Sequence, residues 1–226
     1  MNLSVIIPVY NEAHNINEII KRVQDTKLAT EIVIVDDGST DGTREVLQKT
    51  DGKKKVRVIL HEKNQGKGAA VVTGMKAAQG DILLIQDADL EYDPRDYPTL
   101  LKPIQEGVAD VVYGSRFLGR HRVFLFTHYL GNRVLTLITN ILYNTMLSDM
   151  ETCYKVMRAD VARSLKLRSE TFTIEPEITA KVAKGKWRIY EVGISYAGRD
   201  YAEGKKIGPL DGLKALWAIV RFRLFD

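Results

Sequence analysis

The chain has 226 residues, 27% of them charged, and a formal net charge of +4. That size suits one large α/β domain or two small ones around a substantial buried core. The mild basic excess points by itself to neither nucleic acid nor an anionic membrane surface, and a single cysteine, Cys153, excludes an internal disulfide or a cysteine metal cluster and suits a reducing compartment.

In chain order, residues 3–10 read as a first strand, and Pro8 near its end should stop further pairing there. No charged n-region and cleavage site precede it, so no signal peptide is expected. Ile16, Ile19, Ile20 and Val23 recur at helical spacing, which lays one face of a helix on a sheet. A second strand, 31–35, runs into Asp36-Asp37-Gly38-Ser39. Ser39 or Thr40 can cap the next helix, which reaches about Lys49, with Asp41 at its positive end. A third strand, 56–60, leads to Asn64-Gln65-Gly66-Lys67-Gly68, which must turn tightly before a helix through Ala78. Ile82-Leu83-Leu84-Ile85 reads as a strand buried on both faces, and it stops at Asp87-Ala88-Asp89. Pro94 opens a helix to about Glu106, and the strand 110–113 ends at Gly114-Ser115-Arg116. Strands alternating with helices imply an α/β fold, a mostly parallel sheet with helices on both faces.

The second half is less regular. Residues 123–126 are apolar, and 134–147 form a mostly apolar helix that reads either as a core element or as a surface lying in a membrane interface. Helices are expected over 158–167 and 176–183 and a strand over 187–196. The tail, 213–225, carries Lys214, Arg221, Arg223 and Trp217 among apolar residues, the pattern of a basic amphipathic helix that docks on a membrane surface or packs on the domain. No uninterrupted apolar run reaches the ~18 to 20 residues that span a bilayer.

Parallel strands deliver their carboxyl ends to one edge of the sheet, where ligands bind. Tyr10 to Glu12, Asp36-Asp37, Asp87-Ala88-Asp89 and Ser115-Arg116 therefore converge. An Asp-x-Asp pair alone reads more readily as a solvated strand end, but in this company it suits a hard divalent cation that completes its shell with substrate phosphates. Asp36-Asp37 reads either as a capping turn or as acceptors for ribose hydroxyls or a base N–H. Gly66-Lys67-Gly68 falls short of a nucleotide fingerprint, because Val71 stands where a third glycine belongs and no Lys-Ser or Lys-Thr follows. Arg116, Arg133, Arg199 and Lys205 are better phosphate partners. His14, His61, His121 and His128 lack metal spacing, and no serine lies in a nucleophile elbow, so hydrolase readings fall away.

Taken together, Pro8-x-Tyr10-Asn11-Glu12, Val35-Asp36-Asp37-Gly38-Ser39-x-Asp41-Gly42, Asn64-x-Gly66-Lys67-Gly68, Asp87-Ala88-Asp89, Gly114-Ser115-Arg116, Ser148-Asp149-x-Glu151-Thr152-Cys153-Tyr154-Lys155 and Ser195-Tyr196-x-x-Arg199 resemble family 2 glycosyltransferases of the GT-A fold. The nearest branch transfers hexoses to polyprenyl or dolichyl phosphate. The resemblance implies one domain over 1–226, with a nucleotide-sugar half, 1–116, and an acceptor half, 117–226. It implies a donor pocket of Pro8, Tyr10, Glu12, Val35, Asp37, Asp87, Ala88 and Asp89, closed over the diphosphate by Arg199 and Lys205 from a loop containing Gly198 and Gly204. Mg2+ or Mn2+ would sit on Asp89 with Glu91 beside it, Arg116 and Arg133 would face the acceptor phosphate, and Asp89, Arg116, Asp149 and Arg199 would carry the chemistry. Arg133 is an approximate match, and no serine equivalent to that branch's lipid-phosphate serine is evident. The expected activity is inverting transfer from UDP-glucose or a GDP-mannose-type donor to polyprenyl phosphate, at the cytoplasmic face of a membrane held by peripheral contact. Transfer to a saccharide or protein hydroxyl would instead need Asp149 or Glu151 as base. A non-catalytic nucleotide-sugar-binding module is the reading outside enzymes.

Overall fold

The computed structural model describes residues 1–123, 125–199 and 208–225. Seven strands, β1 (Leu3–Val9), β2 (Ala29–Asp36), β3 (Val56–Leu60), β4 (Ile82–Ile85), β5 (Val111–Ser115), β6 (Lys155–Arg158) and β7 (Ile189–Gly193), form one sheet in the order β3-β2-β1-β4-β6-β5-β7. Every pairing is parallel except the two made by β6. The expected mostly parallel α/β sheet is therefore present. β1, β4 and β5 are buried along their whole length, which is why they read as unbroken apolar runs rather than alternating ones.

Pro8 fits because of where its missing N–H points. The Ile6 carbonyl accepts from Gln86 N and the Val9 carbonyl from Asp37 N, so alternation turns Pro8 toward β4, whose ladder has already ended at the Ile6–Ile85 pair.

The helices are α1 (Ile16–Asp25), α2 (Thr43–Thr50), α3 (Lys67–Ala77), α4 (Tyr97–Gln105), α5 (Phe126–Tyr143), α6 (Ala159–Ser164), α7 (Ile174–Lys184) and α8 (Pro209–Leu224). Three expectations need correction. The cap of α2 is Gly42, with φ 96°, rather than Ser39 or Thr40, and Asp41 Oδ1 accepts from the Thr43 N–H at 3.1 Å. Ser39 Oγ accepts from Asn11 N at 2.9 Å and Asp41 Oδ2 from Ala13 N at 3.1 Å, tying the β1–α1 loop to the β2–α2 loop. β6 was not expected as a strand. It has four residues, begins with a lysine and ends with the arginine taken to open a helix, so it carries no periodicity long enough to read.

The third correction concerns α5. It begins eight residues before Val134 and stops at Tyr143, where Asn144 takes a left-handed φ of 53°. Its buried side chains are Thr136, Thr139 and Tyr143, while Phe126, Leu130, Val134, Leu137 and Ile141 are exposed. The reading of this helix as a core element fails for its outer stripe. α8 behaves in mixed fashion, burying Ala215, Ala218, Ile219 and Phe222 and exposing Leu210, Leu213, Trp217 and Leu224. The two helices meet near their C-terminal ends, where Tyr143 Oη donates to the Ile219 carbonyl at 2.7 Å. One apolar cluster runs through the molecule from Leu3 to Phe222, so residues on both sides of position 116 share a core. Among the described residues no helix is long and apolar enough to cross a membrane.

Candidate active site

The carboxyl ends of β1, β2, β4 and β5 open into one cleft of about 790 Å³. It takes in Pro8, Tyr10, Glu12, Asp37, Asp87, Ala88, Asp89, Glu91, Arg116 and Arg199, so the strand ends do converge. Val35, Asp36, Asp149 and Arg133 are not among its lining residues. Lys205 and Gly204 lie outside the described residues.

Neighbouring acids have divided the work. Asp36 is fully buried and bound by Arg44 through Nε at 3.0 Å and Nη2 at 2.9 Å, so it anchors α2 and faces no ligand. Asp37 accepts from the Gln65 and Gly66 N–H groups at 2.9 and 2.7 Å and lies 2.8 Å from His61 Nδ1. Of the roughly four acceptor positions of a carboxylate, at least one is left toward the cleft. His61, in turn, is steadied by Thr73 at 3.0 Å. Val35 is buried beneath α3 against Ala70, too deep to touch a ligand directly.

At the end of β4, Gln86 accepts from the hydroxyls of Tyr97 and Tyr154 at 2.8 and 2.6 Å, which fixes the peptide before the acids. Asp87 is held by Lys67 Nζ at 2.8 Å, and Lys67 also approaches Glu175 at 3.5 Å. Burial, then the charges of Asp87 and Glu91, push the Asp89 carboxyl up to about 7. Arg199 opposes this shift. Its guanidinium reaches Asp89 at 2.8 Å, Glu91 at 3.0 Å and Glu12 at 3.7 Å. Glu91 is further fixed by the Tyr196 hydroxyl and the Arg199 N–H.

This donor set fits Mg2+ or Mn2+. The oxygens are hard, the acids crowd one another in a buried place, and an added cation would relieve that crowding as Arg199 does. No group of three or more His, Cys, Asp or Glu side chains forms a ready-made metal cage among the described residues.

On the opposite wall, Asp149 is fully buried and both its oxygens go to Arg116, through Nε and Nη2 at 2.7 Å each and the backbone N–H at 3.0 Å. Arg116 also lies over the Tyr196 ring, 5.4 Å from its centroid. Asp149 therefore aims Arg116. Glu151 does line the cleft. Burial, then Glu175, push its carboxyl up to about 7, and its buried Oε1 has no hydrogen-bond partner among the described residues. Arg133 turns away and donates to the Ser148 carbonyl at 3.2 Å.

Lys67 and Glu175 are the site residues that sequence reasoning missed. The Gly-Lys-Gly signal was visible but was weighed as a phosphate loop and as part of the family pattern, with no role given to Lys67 itself. Its glycines serve another purpose, since a Cβ at Gly66 would collide with the Glu170 carbonyl and one at Gly68 with the Ser169 carbonyl. They let the 169–170 backbone close over α3 and bring Lys67 beside Glu175.

Comparison with known proteins agrees with this architecture. The chain is 33% identical over 215 residues to the dolichol-phosphate mannosyltransferase of Pyrococcus furiosus, covering 92% of this chain and 60% of that protein. It is 27% identical over 213 residues to the dodecaprenyl-phosphate galacturonate synthase of Rhizobium johnstonii, covering 91% and 62%. The chain thus spans about three-fifths of the length of these curated relatives. Glucosyl-3-phosphoglycerate synthase from Mycobacterium tuberculosis, in its crystal structure with Mn2+, UDP-glucose and phosphoglyceric acid, superposes with a TM-score of 0.77 at 21% identity, over 98% of this chain and 79% of that one. That likeness is one of fold, the GT-A fold. Residues 4–166, more than half of the sequence, match the family described as Glycosyl transferase family 2, and the chain belongs to that family.

Proposed function

We propose that this chain transfers a hexose from a nucleotide sugar to a polyprenyl phosphate, with inversion, using Mg2+ or Mn2+, while resting on a membrane surface. One observation carries the reading. A single cleft holds the acid cluster and Arg116, and its wall is α5, a helix with no acidic residue whose outer stripe of Phe126, Leu130, Val134, Leu137 and Ile141 is apolar and exposed. The names of the two curated relatives, each joined to a polyprenyl-type phosphate, support the same acceptor class.

The residues divide the reaction as follows. Asp37 offers its remaining lone pair to the nucleoside, and the β1 end with Pro8 and Tyr10 forms the wall beside it. Asp89, with Glu91 and Asp87 nearby, would hold the cation. When bound, that cation neutralises the charge growing on the leaving diphosphate. Arg199, already against Asp89 and Glu91, adds a second positive charge there. Arg116, fixed by Asp149, meets the acceptor phosphate. A phosphate is already ionised at neutral pH and attacks from the face opposite the leaving group without a general base.

A second reading rests on Glu151. A carboxyl raised to about 7 on a residue that lines the cleft is suited to take a proton from a hydroxyl acceptor. The test is incubation with Mn2+ and a panel of UDP- and GDP-sugars, separately with undecaprenyl phosphate and with sugar or hydroxy-acid acceptors, and mass spectrometry of the products. A glycosylated lipid phosphate is expected. Product only on a hydroxyl acceptor would transfer the assignment to the Glu151 reading, and no product from any pair would leave a nucleotide-sugar-binding module.

A further inference from the structure

The hydrogen bonds of Asp37 are shared unevenly between its two oxygens. Oδ1 takes two, from the Gln65 N–H at 2.9 Å and from His61 Nδ1 at 2.8 Å, whereas Oδ2 takes one, from the Gly66 N–H at 2.7 Å. A carboxylate oxygen has about two lone-pair positions, so Oδ1 is full and Oδ2 keeps one. Asp37 thus has room for one further N–H, on one oxygen.

The surroundings hold the carboxylate in that state. It is buried, and its partners come from two other parts of the fold, His61 just after β3 and the turn into α3. An ionised carboxylate only accepts, so Nδ1 of His61 carries the hydrogen of their bond. The other ring nitrogen, Nε2, lies 3.0 Å from the Thr73 hydroxyl of α3. The His61 backbone is tied as well, its N–H to the Asp36 carbonyl at 2.8 Å and its carbonyl to Arg44 Nη2. Gly38, the residue after Asp37, has φ 77°, and a Cβ there would strike the backbone of Lys63 and Asn64. The two loops are in contact, which leaves Asp37 little freedom to exchange partners. His61 itself is not among the residues that line the cleft, whereas Asp37 is.

Nucleobases differ in what they offer such an acceptor. Uracil has one ring N–H, at N3, flanked by two carbonyls. Guanine carries its N1–H and its N2 amino group side by side, a pair that suits both oxygens of one carboxylate. Against Asp37 the N1–H would reach Oδ2, but the amino group would meet Oδ1, whose positions His61 and Gln65 already fill. A buried donor left without an acceptor weakens binding by about tenfold or more.

We propose that His61, by filling Oδ1 of Asp37, makes the nucleoside site selective for uridine over guanosine, so that the donor is a UDP-sugar. This rests on the nucleotide-sugar reading given above and narrows it. His61 is a positioning residue, acting on the base through Asp37.

The test is calorimetric binding of UDP, GDP and 3-methyl-UDP, each with Mn2+, to the full chain and to His61→Leu and His61→Asn. The parent is expected to bind UDP at least about tenfold more tightly than GDP, and more tightly by a similar factor than 3-methyl-UDP, which lacks the N3 hydrogen. His61→Leu opens one position on Oδ1, so GDP should gain on UDP by about tenfold. His61→Asn, whose amide N–H replaces Nδ1–H, should keep the parent's preference. A His61→Leu variant that weakens both nucleotides alike, with their ratio unchanged, would mean His61 serves the fold, and the proposal falls. Should that variant not fold, the parent's two ratios still decide the uridine assignment. A parent that binds UDP and GDP equally, prefers GDP, or takes 3-methyl-UDP as well as UDP overturns the proposal and leaves transfer from a nucleotide sugar standing. A parent that binds no nucleotide overturns both.

Discussion

The two walls of the cleft follow opposite plans. On the wall made by β1, β2 and β4, acids have fixed partners: Asp37 has His61 and two backbone N–H groups, and Asp87 has Lys67. On the wall made by α5 and α8, a Cβ at Gly131 or Gly212 meets no atom of the described residues within 4 Å, and apolar side chains face solvent. The first wall is organised before anything binds, which suits stabilising charge that develops on a diphosphate. A finished wall and an open one should respond differently to substitution.

The sharpest break is Asp89→Ala. Transfer should fall at least about a thousandfold, as expected when a group stabilising transition-state charge is lost. Its thermal midpoint should hold or rise, because removing Asp89 relieves a carboxyl that burial and its neighbours already disfavour. Manganese binding, read by electron paramagnetic resonance, should weaken in parallel. Full metal-dependent transfer by this variant would mean that the finished wall is not where the sugar leaves.

Arg116→Ala tests the point where the walls meet. It strands the fully buried Asp149, and removing one partner of a buried pair costs about 3–5 kcal/mol. Urea unfolding should report that loss, and Arg116→Ala with Asp149→Ala should recover a substantial part. If the double variant is no better than the single one, the pair is not coupled as its geometry implies.

Two carboxyls extend the contrast to pH, with opposite signs. The Arg188 guanidinium holds Asp110 down at about 2 in a clip between β5 and β7. Because that lies below its ordinary 3.8, its stabilisation is complete above about pH 4 and fades as pH falls toward 2, on the order of 1–2 kcal/mol. Asp110→Asn should flatten that acid limb. Glu151 lies on the other side. Its carboxyl is raised from 4.5 to about 7, so the folded state is favoured below pH 4.5 and loses that advantage as pH rises through 7. Glu151→Gln should therefore stabilise the protein at pH 8, by about 2 kcal/mol, and change little at pH 4. A Glu151→Gln variant without that gain would mean the carboxyl is not held in an unpartnered buried place.

The finished wall was also the legible one. Branched runs ending in acids specify both the strands and the place where they converge, because a parallel sheet leaves one edge for ligands. That is why Asp37, Asp87, Asp89 and Arg116 could be placed from sequence. The division of labour inside each acid pair could not, since it depends on Arg44 reaching Asp36 and His61 reaching Asp37 from other elements. β6 was hidden because four residues with charged ends have no period. Arg133, chosen as a guanidinium that suits phosphate and as an approximate match to the family pattern, lies off the cleft because residue type does not say which face of α5 turns inward when its apolar stripe is the exposed one. Lys67 was discounted because its glycines answer to a backbone 100 residues away rather than to a motif.

The smallest effect on stability carries the most information about the open wall. Leu137 and Ile141 are 58% and 71% exposed, one turn apart on the outer stripe of α5. Replacing both with serine removes almost no buried area, so unfolding should stay within about 0.5 kcal/mol of the parent. If the stripe rests on lipid, the same pair should lose flotation with liposomes, because each side chain gives up apolar contact with the membrane interface. Ile219→Ala on the inner face of α8 is the control with the reverse profile. Its side chain is 1% exposed, so it should cost about 2–5 kcal/mol and leave the exposed stripe of α5 intact. Flotation that survives Leu137→Ser with Ile141→Ser would move membrane contact away from α5. A parent chain that never floats would make the stripe a surface for some other partner and favour the hydroxyl acceptor served by Glu151.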